Sequence, residues 1–481
     1  MSTKPSRPAL RSVIALVAGT LLLTGCSNLI AGEATKIGST LGQSKTSPPD
    51  GPSGRKANAP APDIKVDDDA NTEWDVQAKD TIADLYDYYG SIFEKDFGKK
   101  FTPAKQLKSY DSSDPKATIC NRSLKGDVNA SYNPMCDAIV WDRGKLLPDM
   151  GATVGPLGAP TILAHEMGHL VQARLGFKVT NQAELLTAEQ QADCYAGAYW
   201  RWVADGNSKY YDLSQGKGMR EVLTAIMYTG DPVGLSPEAL NAHGSAFDRA
   251  FAMSLGYTNG AVRCSKIDDK EVTDRITETG FTYVPKNYGN LPVDQSLVDK
   301  VTATLDSYFA ERFKGYRKPT IKAFDGEQGP ECGGAPSTFP VGYCAADNTV
   351  TYNLAELKRL ATPTKGFASY NGDFSSMLML ASRYGLAAQA TTGGQVTGDQ
   401  AGLRALCYAG TWAAWLHEGA HGGLKLSPND LNKAVYAVMN SSLPAADATG
   451  ATSTRVIDQV QALYLGVIYG QTTRCYEFYS G

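Results

Sequence analysis

The stretch "TILAHEMGHLVQARLG" sets Ile162, Leu163, Met167, Leu170, Val171 and Leu175 at helical spacing and ends at Gly176, which predicts a helix closed by a C-terminal glycine. "LLTAEQQADCYAG" predicts a second helix soon after it. A later one, begun at "LRALCYAG", is expected to stop near "HEGAH", because Gly419 interrupts that motif and Gly422 and Gly423 follow it. Another helix is expected over about residues 78–97, with a short sheet around the first cysteine pair that includes residues 139–141. The N-terminal region reads differently. Lys4, Arg7 and Arg11 precede an apolar run that stops at Gly25 and Cys26, too short for a spanning helix, so residues 1–25 read as a secretory signal. Residues 26–71 are rich in Gly, Pro, Ser and charge, and read as a flexible tether.

The pattern then repeats. "CYAGAYWRWVADGNSKYYDLS" from Cys194 aligns without a gap with "CYAGTWAAWLHEGAHGGLKLS" from Cys407. "FEKDFGKKFTPAKQLKSYD" matches "FAERFKGYRKPTIKAFD", and "FDRAFAMSLGYTNGAVRC" parallels "IDQVQALYLGVIYGQTTRC". Two related domains are therefore expected, residues 72–290 and 291–481, each α+β, mainly helical with a small sheet. Setting Cys26 aside leaves eight of the nine cysteines, an even number suited to an oxidising compartment. Eight cysteines permit about a hundred pairings. The repeat favours Cys120 with Cys136, Cys194 with Cys264, Cys332 with Cys344, and Cys407 with Cys475.

Two segments fit H-E-x-x-H, the spacing that puts two imidazoles on one helix face beside a carboxylate. In "HEGAH" the glycines make His417 and His421 the end of a helix rather than a metal pair. In "HEMGH" an intact helix presents His165 and His169 one turn apart, with Glu166 beside them. A catalytic zinc needs a third protein ligand and an open position. Glu189 on the following helix is the candidate, and Asp193, one turn on, can accept the N–H of a ligating imidazole. The bland alternative for this pair is a solvated acidic face. His243, absent from the second copy, is a candidate donor to the oxyanion of a tetrahedral intermediate, or else an ordinary loop histidine.

Taken together, "ILAHEMGHLVQ", "AEQQADCYAG", "HGSAFDR" and the cysteine-bounded "CGGAPSTFPVGYCAADNTVTYN" resemble the bacterial neutral zinc metallopeptidase family. The resemblance implies a gluzincin-type, zincin-like centre with Zn²⁺ on His165, His169 and Glu189 and with Glu166 as general base. "LLLTGC" similarly resembles a bacterial lipobox, which implies a lipid on Cys26 and an anchor at the extracytoplasmic face of the cell membrane.

The second copy departs from the pattern. Ser382, Arg383 and Leu386 stand opposite His165, Glu166 and His169, while Gly402 and Leu406 stand opposite Glu189 and Asp193. It reads as a degenerate peptidase repeat whose role is packing, partner binding or substrate presentation. A formal net charge of −4 gives no electrostatic case for nucleic acid. The expected function is a membrane-anchored zinc peptidase acting on peptides or proteins of the cell envelope, with residues 139–141 as a strand that an extended substrate could join. Amide hydrolysis of a cell-wall peptide would use the same site. The competing class is a non-catalytic envelope scaffold holding a structural zinc.

Overall fold

Thr72 starts the first long helix. Its hydroxyl accepts the Asp75 N–H while the Asp75 carboxylate accepts the Thr72 N–H, a reciprocal cap for donors that a helix end leaves open. Helix α1 thus spans Glu73–Phe97 and opens earlier than the expected residue 78. The computed structural model describes residues 51–239, 242–277, 287, 289–363 and 370–480. Cys26 and the signal-like residues 1–25 lie outside the described residues.

Residues 51–71, expected to be tether, are instead tied to the first domain. Strand β1 (Gly54–Arg55) pairs antiparallel with β7 (Tyr211–Asp212), Arg55 pairs with buried Asp80, and Lys56 Nζ donates to Ser208 O at 2.7 Å. Further on, Asp67 bridges to Lys108 at the edge of the main sheet. Composition missed this because backbone pairing, ion pairs and a few isolated apolar contacts from Ala59, Ile64 and Val66 hold the segment, too sparse to set a hydrophobic period.

The first half continues with β2 (Gln106–Tyr110), β3 (Thr118–Ile119), β4 (Arg122–Ser123), β5 (Ala130–Asn133) and β6 (Ala138–Asp142). Helices α2 (Leu146–Thr153), α3 (Gly158–Leu175), α4 (Gln182–Ala204), α5 (Lys217–Tyr228), α6 (Ala246–Asn259), α7 (Ala261–Cys264) and α8 (Asp269–Arg275) complete it. The second half runs α9 (Gln295–Arg312), β8 (Thr320–Ala323), β9 (Glu331–Cys332), β10 (Ala335–Pro336), β11 (Val341–Cys344) and β12 (Thr349–Tyr352). It ends with α10 (Leu354–Leu360), α11 (Asp373–Thr391), α12 (Asp399–Glu418), α13 (Asp430–Ser441), α14 (Val456–Tyr469) and α15 (Thr472–Phe478). Each half builds one three-stranded sheet of the same topology. β6 lies between parallel β2 and antiparallel β5, just as β12 lies between parallel β8 and antiparallel β11. The chain is therefore a mix of helices and small sheets.

The repeated "CYAG" is a packing device. In α4, Gly197 lies where a Cβ would strike the backbone of Met253 in α6, and Gly256 of α6 lies in the same way against the backbone of Cys194. Gly410 of α12 and Gly466 of α14 repeat the contact in the second half. With no side chains at the crossing, the helices meet backbone to backbone. Cys194 then bonds Cys264 and Cys407 bonds Cys475, while Cys120–Cys136 and Cys332–Cys344 staple the sheet regions. These are the four pairs that the repeat favours.

The halves share one hydrophobic core. Tyr464 of α14 lies over Phe247 and Phe251 of α6, with ring centroids 4.0 and 4.4 Å apart, and its hydroxyl accepts the Phe251 N–H. Asn432 Oδ1 accepts the Phe247 N–H at 2.7 Å, and Arg220 donates to Met439 O and Ser442 Oγ. No helix among the described residues is long and apolar enough to cross a membrane.

Candidate metal centre

Helix α3 buries nearly every face. From Gly158 to Gln172 only His169 falls outside the buried set, so the apolar rhythm of the sequence belongs to a core helix rather than to a surface stripe. Its C-terminus is capped by Gly176 at φ 90°. Helix α4 starts at the Asn181 cap and runs alongside. The two helices approach closely because Gly168, the third residue of the H-E-x-x-H spacer after His165, has no side chain. A Cβ there would lie 2.7 Å from Ala192 Cα. That close approach brings Glu189 to the histidine pair.

Three donor side chains converge. His165 Nε2 lies 3.2 Å from His169 Nε2 and 3.3 Å from Glu189 Oε2, and His169 Nε2 lies 3.5 Å from Glu189 Oε1. Ligands about 2.0–2.1 Å from a tetrahedral centre stand about 3.3 Å from one another, so the spacing fits the edges of such a site. Among the described residues this is the one group of three or more His, Cys, Asp or Glu side chains placed to hold a metal.

The outer contacts point the imidazoles inward. His165 Nδ1 meets Asp193 Oδ1 at 2.8 Å, which assigns its proton to Nδ1 and turns Nε2 to the centre. His169 Nδ1 meets Gln172 Oε1 at 2.9 Å. Gln172 is itself fixed, since its amide nitrogen donates to Ala188 O and Gln191 Oε1. Arg249 of α6 clamps Asp193 with two hydrogen bonds of 2.9 Å and donates to Thr229 O. Asp193 and Arg249 are 0% and 3% exposed, so Asp193 is no part of a solvated acidic face.

The electrostatics favour a cation. Burial alone would lower the His165 pKa, but the Asp193 carboxylate, followed by Glu189, raises it to about 10. Burial would raise Glu189, yet His169 and then His165 hold it well below the usual carboxylate range. Glu166, one residue beyond His165, accepts the Tyr132 N–H of β5 through Oε2 at 2.9 Å.

His243 does not join the donor cluster. It is exposed on the loop before α6, where its backbone N–H donates to Asp231 Oδ2 at 2.8 Å and its Nδ1 lies 3.4 Å from Asp231 Oδ1. The Asp231 hydrogen bond raises its pKa. Residues 139–141 are not free to receive a strand, because β6 is paired on both edges; the open edge next to Glu166 belongs to β5. Sequence reasoning also missed Gln172 and Arg249. The first stands one residue short of a helical turn beyond His169, and the second lies in "HGSAFDR", so spacing was the available clue.

The second half closes the equivalent space. Arg383, in the place of Glu166, is fully buried and donates to Val341 O of β11, and also to Leu443 O and Ala446 O in the α13–α14 connection. Gly402, in the place of Glu189, lies against Ala445 O of the same connection. Helix α12 ends at Glu418, and His421 leaves it to stack on Trp415 with ring centroids 3.5 Å apart, so His417 and His421 share no helix face.

No protein-family model matches the chain, and no solved structure matches it. Uncharacterized proteins of Mycobacterium bovis and of two Mycobacterium tuberculosis strains are similar to it, each 30% identical over 128 residues. Those residues are 24% of this chain and 43% of each relative, so the chain matches under half the length of the curated relatives.

Proposed function

We propose that the first half is a zinc-dependent peptidase and that the chain is a tandem of zincin-like domains whose second copy has lost its chemistry. One observation carries this reading. Three donors stand at tetrahedral-edge spacing with a second carboxylate, Glu166, on the residue after His165 in the same helix. Two neutral imidazoles and a carboxylate are the ligand set expected of a catalytic zinc, whereas a structural site fills all four positions with protein ligands. The donor group found here has three members.

When bound, zinc would supply a Lewis acid and water of lowered pKa. The remaining work falls to side chains of this chain. His165, His169 and Glu189 hold the metal, while Asp193 and Gln172 fix the two imidazoles. Tyr132 N–H anchors one oxygen of Glu166 and leaves the other to take a proton from water and pass it to the leaving amine. With the Ala130 and Tyr132 N–H groups taken by Asn129 Oδ1 and Glu166, the β5 edge beside Glu166 can offer an extended peptide its carbonyls. His243, oriented by Asp231, is available to an oxyanion from the loop.

Four disulfides suit an extracytoplasmic compartment, and lipidation of Cys26 would tether the enzyme to the membrane there. The test is metal analysis and peptide hydrolysis on the purified protein. One zinc per chain, with hydrolysis lost in Glu166→Gln while zinc stays, supports the reading. Zinc-loaded wild type that cuts no peptide in a broad pool leaves the scaffold reading in its place.

A further inference from the structure

A pocket lies beside the candidate centre, between α4, the loop 231–237, the start of α6 and Asn432 from the second half. Leu186, Val233, Leu235 and Ile276 give it an apolar wall. Most of its polar lining is already committed. Asp231 accepts the backbone N–H groups of His243 and Gly244, Asp248 accepts from Ser245 and Thr277, and Asn432 pairs with Phe247 N–H and Asn429.

Gln190 is the exception. It lines the pocket at 0% exposure, and among the described residues neither its amide oxygen nor its amide nitrogen has a hydrogen-bond partner. A buried amide unpaired at both ends is unfavourable until something supplies one donor and one acceptor. Gly244, at φ +109°, packs against that amide without a side chain, where a Cβ would stand 4.0 Å from Gln190 Nε2. Leu186 and Gln190 share one face of α4 at i, i+4, and the next residue round the helix is the ligand Glu189. On the opposite wall Asp231 carries His243. The pocket is thus flanked by two groups of the proposed active site.

We propose that this pocket receives a carboxamide-tipped side chain, glutamine or asparagine, from the peptide, its amide pairing head to tail with that of Gln190. That the guest belongs to a substrate rests on the peptidase reading; that the pocket takes a carboxamide rests on its lining. The methylene stem lies on the apolar wall and the tip supplies the missing donor and acceptor together. An aliphatic side chain supplies neither, an ammonium supplies no acceptor, and a carboxylate meets Asp231 and Asp248.

The test uses the full chain, zinc-loaded and carrying Glu166→Gln so that peptides bind without turnover. Capped tripeptides Ala-X-Ala with X as Gln, Leu, Glu or Lys are titrated by calorimetry or NMR. The Gln peptide should bind about tenfold or more tighter than the others, and Gln190→Leu should reduce that preference to about twofold or less. Leu235→Trp, which fills the pocket from a surface loop, should abolish the preference if the core substitution fails to fold. Equal binding of all four peptides, or a preference that survives both substitutions, overturns the proposal. Gln-selective binding with no cleavage by zinc-loaded wild type keeps the pocket and removes the peptidase. Cleavage that ignores X and Gln190 does the reverse.

Discussion

Adding one methyl group at Gly168 tests how the centre is assembled. In Gly168→Ala the new Cβ would lie 2.7 Å from Ala192 Cα and 2.9 Å from Ala192 O, both backbone atoms that cannot swing aside. Ordinary carbon contact begins near 3.5 Å, so α3 and α4 must part by about 0.8 Å. Two of the proposed ligands ride on α3 and the third on α4, and metal sites tolerate only about ±0.2 Å in ligand distance. The same movement would stretch the 2.8 Å contact of His165 with Asp193 beyond hydrogen-bond range. Losing such an outer contact typically weakens metal binding about 10–100-fold, and displacing Glu189 adds to that. Overpacking should also cost about 1–3 kcal/mol of stability. The control is built into the repeat. Gly385→Ala drives a Cβ to 2.8 Å from Ala405 O in the corresponding crossing of α11 and α12, and should lower stability similarly without touching zinc affinity. Zinc affinity by chelator competition and the melting temperature of the metal-free protein would be measured for both. A Gly168→Ala protein that folds and holds zinc within about threefold of wild type would refute the argument.

Further outcomes follow from the same geometry. Glu166→Gln should retain zinc and the melting temperature yet lose peptide hydrolysis by about 10²–10⁴-fold, read from kcat/KM. His165→Ala should remove the metal, whereas replacing His417 and His421 together should leave one zinc per chain by mass spectrometry. Arg383→Met should destabilise by about 3 kcal/mol or more in denaturant unfolding, because three carbonyls lose a buried donor, with zinc content unchanged. Zinc uptake near pH 8 should release a proton, seen in calorimetry across buffers of different ionisation enthalpy, because His165 otherwise holds one up to about pH 10. The sign for the metal-free fold is set by the same raised pKa. This stabilisation is complete below about pH 6.5 and is lost as pH rises through about 10, so alkaline destabilisation should be steeper without zinc.

Much of the centre was legible because helical spacing translates directly into geometry. His165 with His169, and Glu189 with Asp193, needed only the period of the helix. The "CYAG" repeat and the cysteine pattern gave the four disulfides for a similar reason, since each half reuses one helix crossing. Gln172 and Arg249 escaped because glutamine and arginine beside a helix are usually solvated, and only tertiary packing turns them toward His169 and Asp193. Residues 51–71 escaped because their attachments run through backbone pairs, ion pairs and the scattered side chains of Ala59, Ile64 and Val66, which set no hydrophobic period. The pairing of β6 on both edges was hidden too, since a buried strand reads alike at the centre of a sheet or at its margin.

The α13–α14 connection has a bearing on the history of the second half. Its occupation of the space that Glu189 fills in the first half means that, on the proposed reading of the second half as a degenerate copy, missing donors are only part of the difference. Histidines restored at Ser382 and Leu386, with a glutamate at Gly402, would drive that glutamate into Ala445 O and still leave Arg383 gripping the connection. The step at Gly402 would therefore strain the fold before it returned any chemistry. On that reading the way back is closed by backbone packing as well as by missing donors, a one-way door built into a single backbone contact.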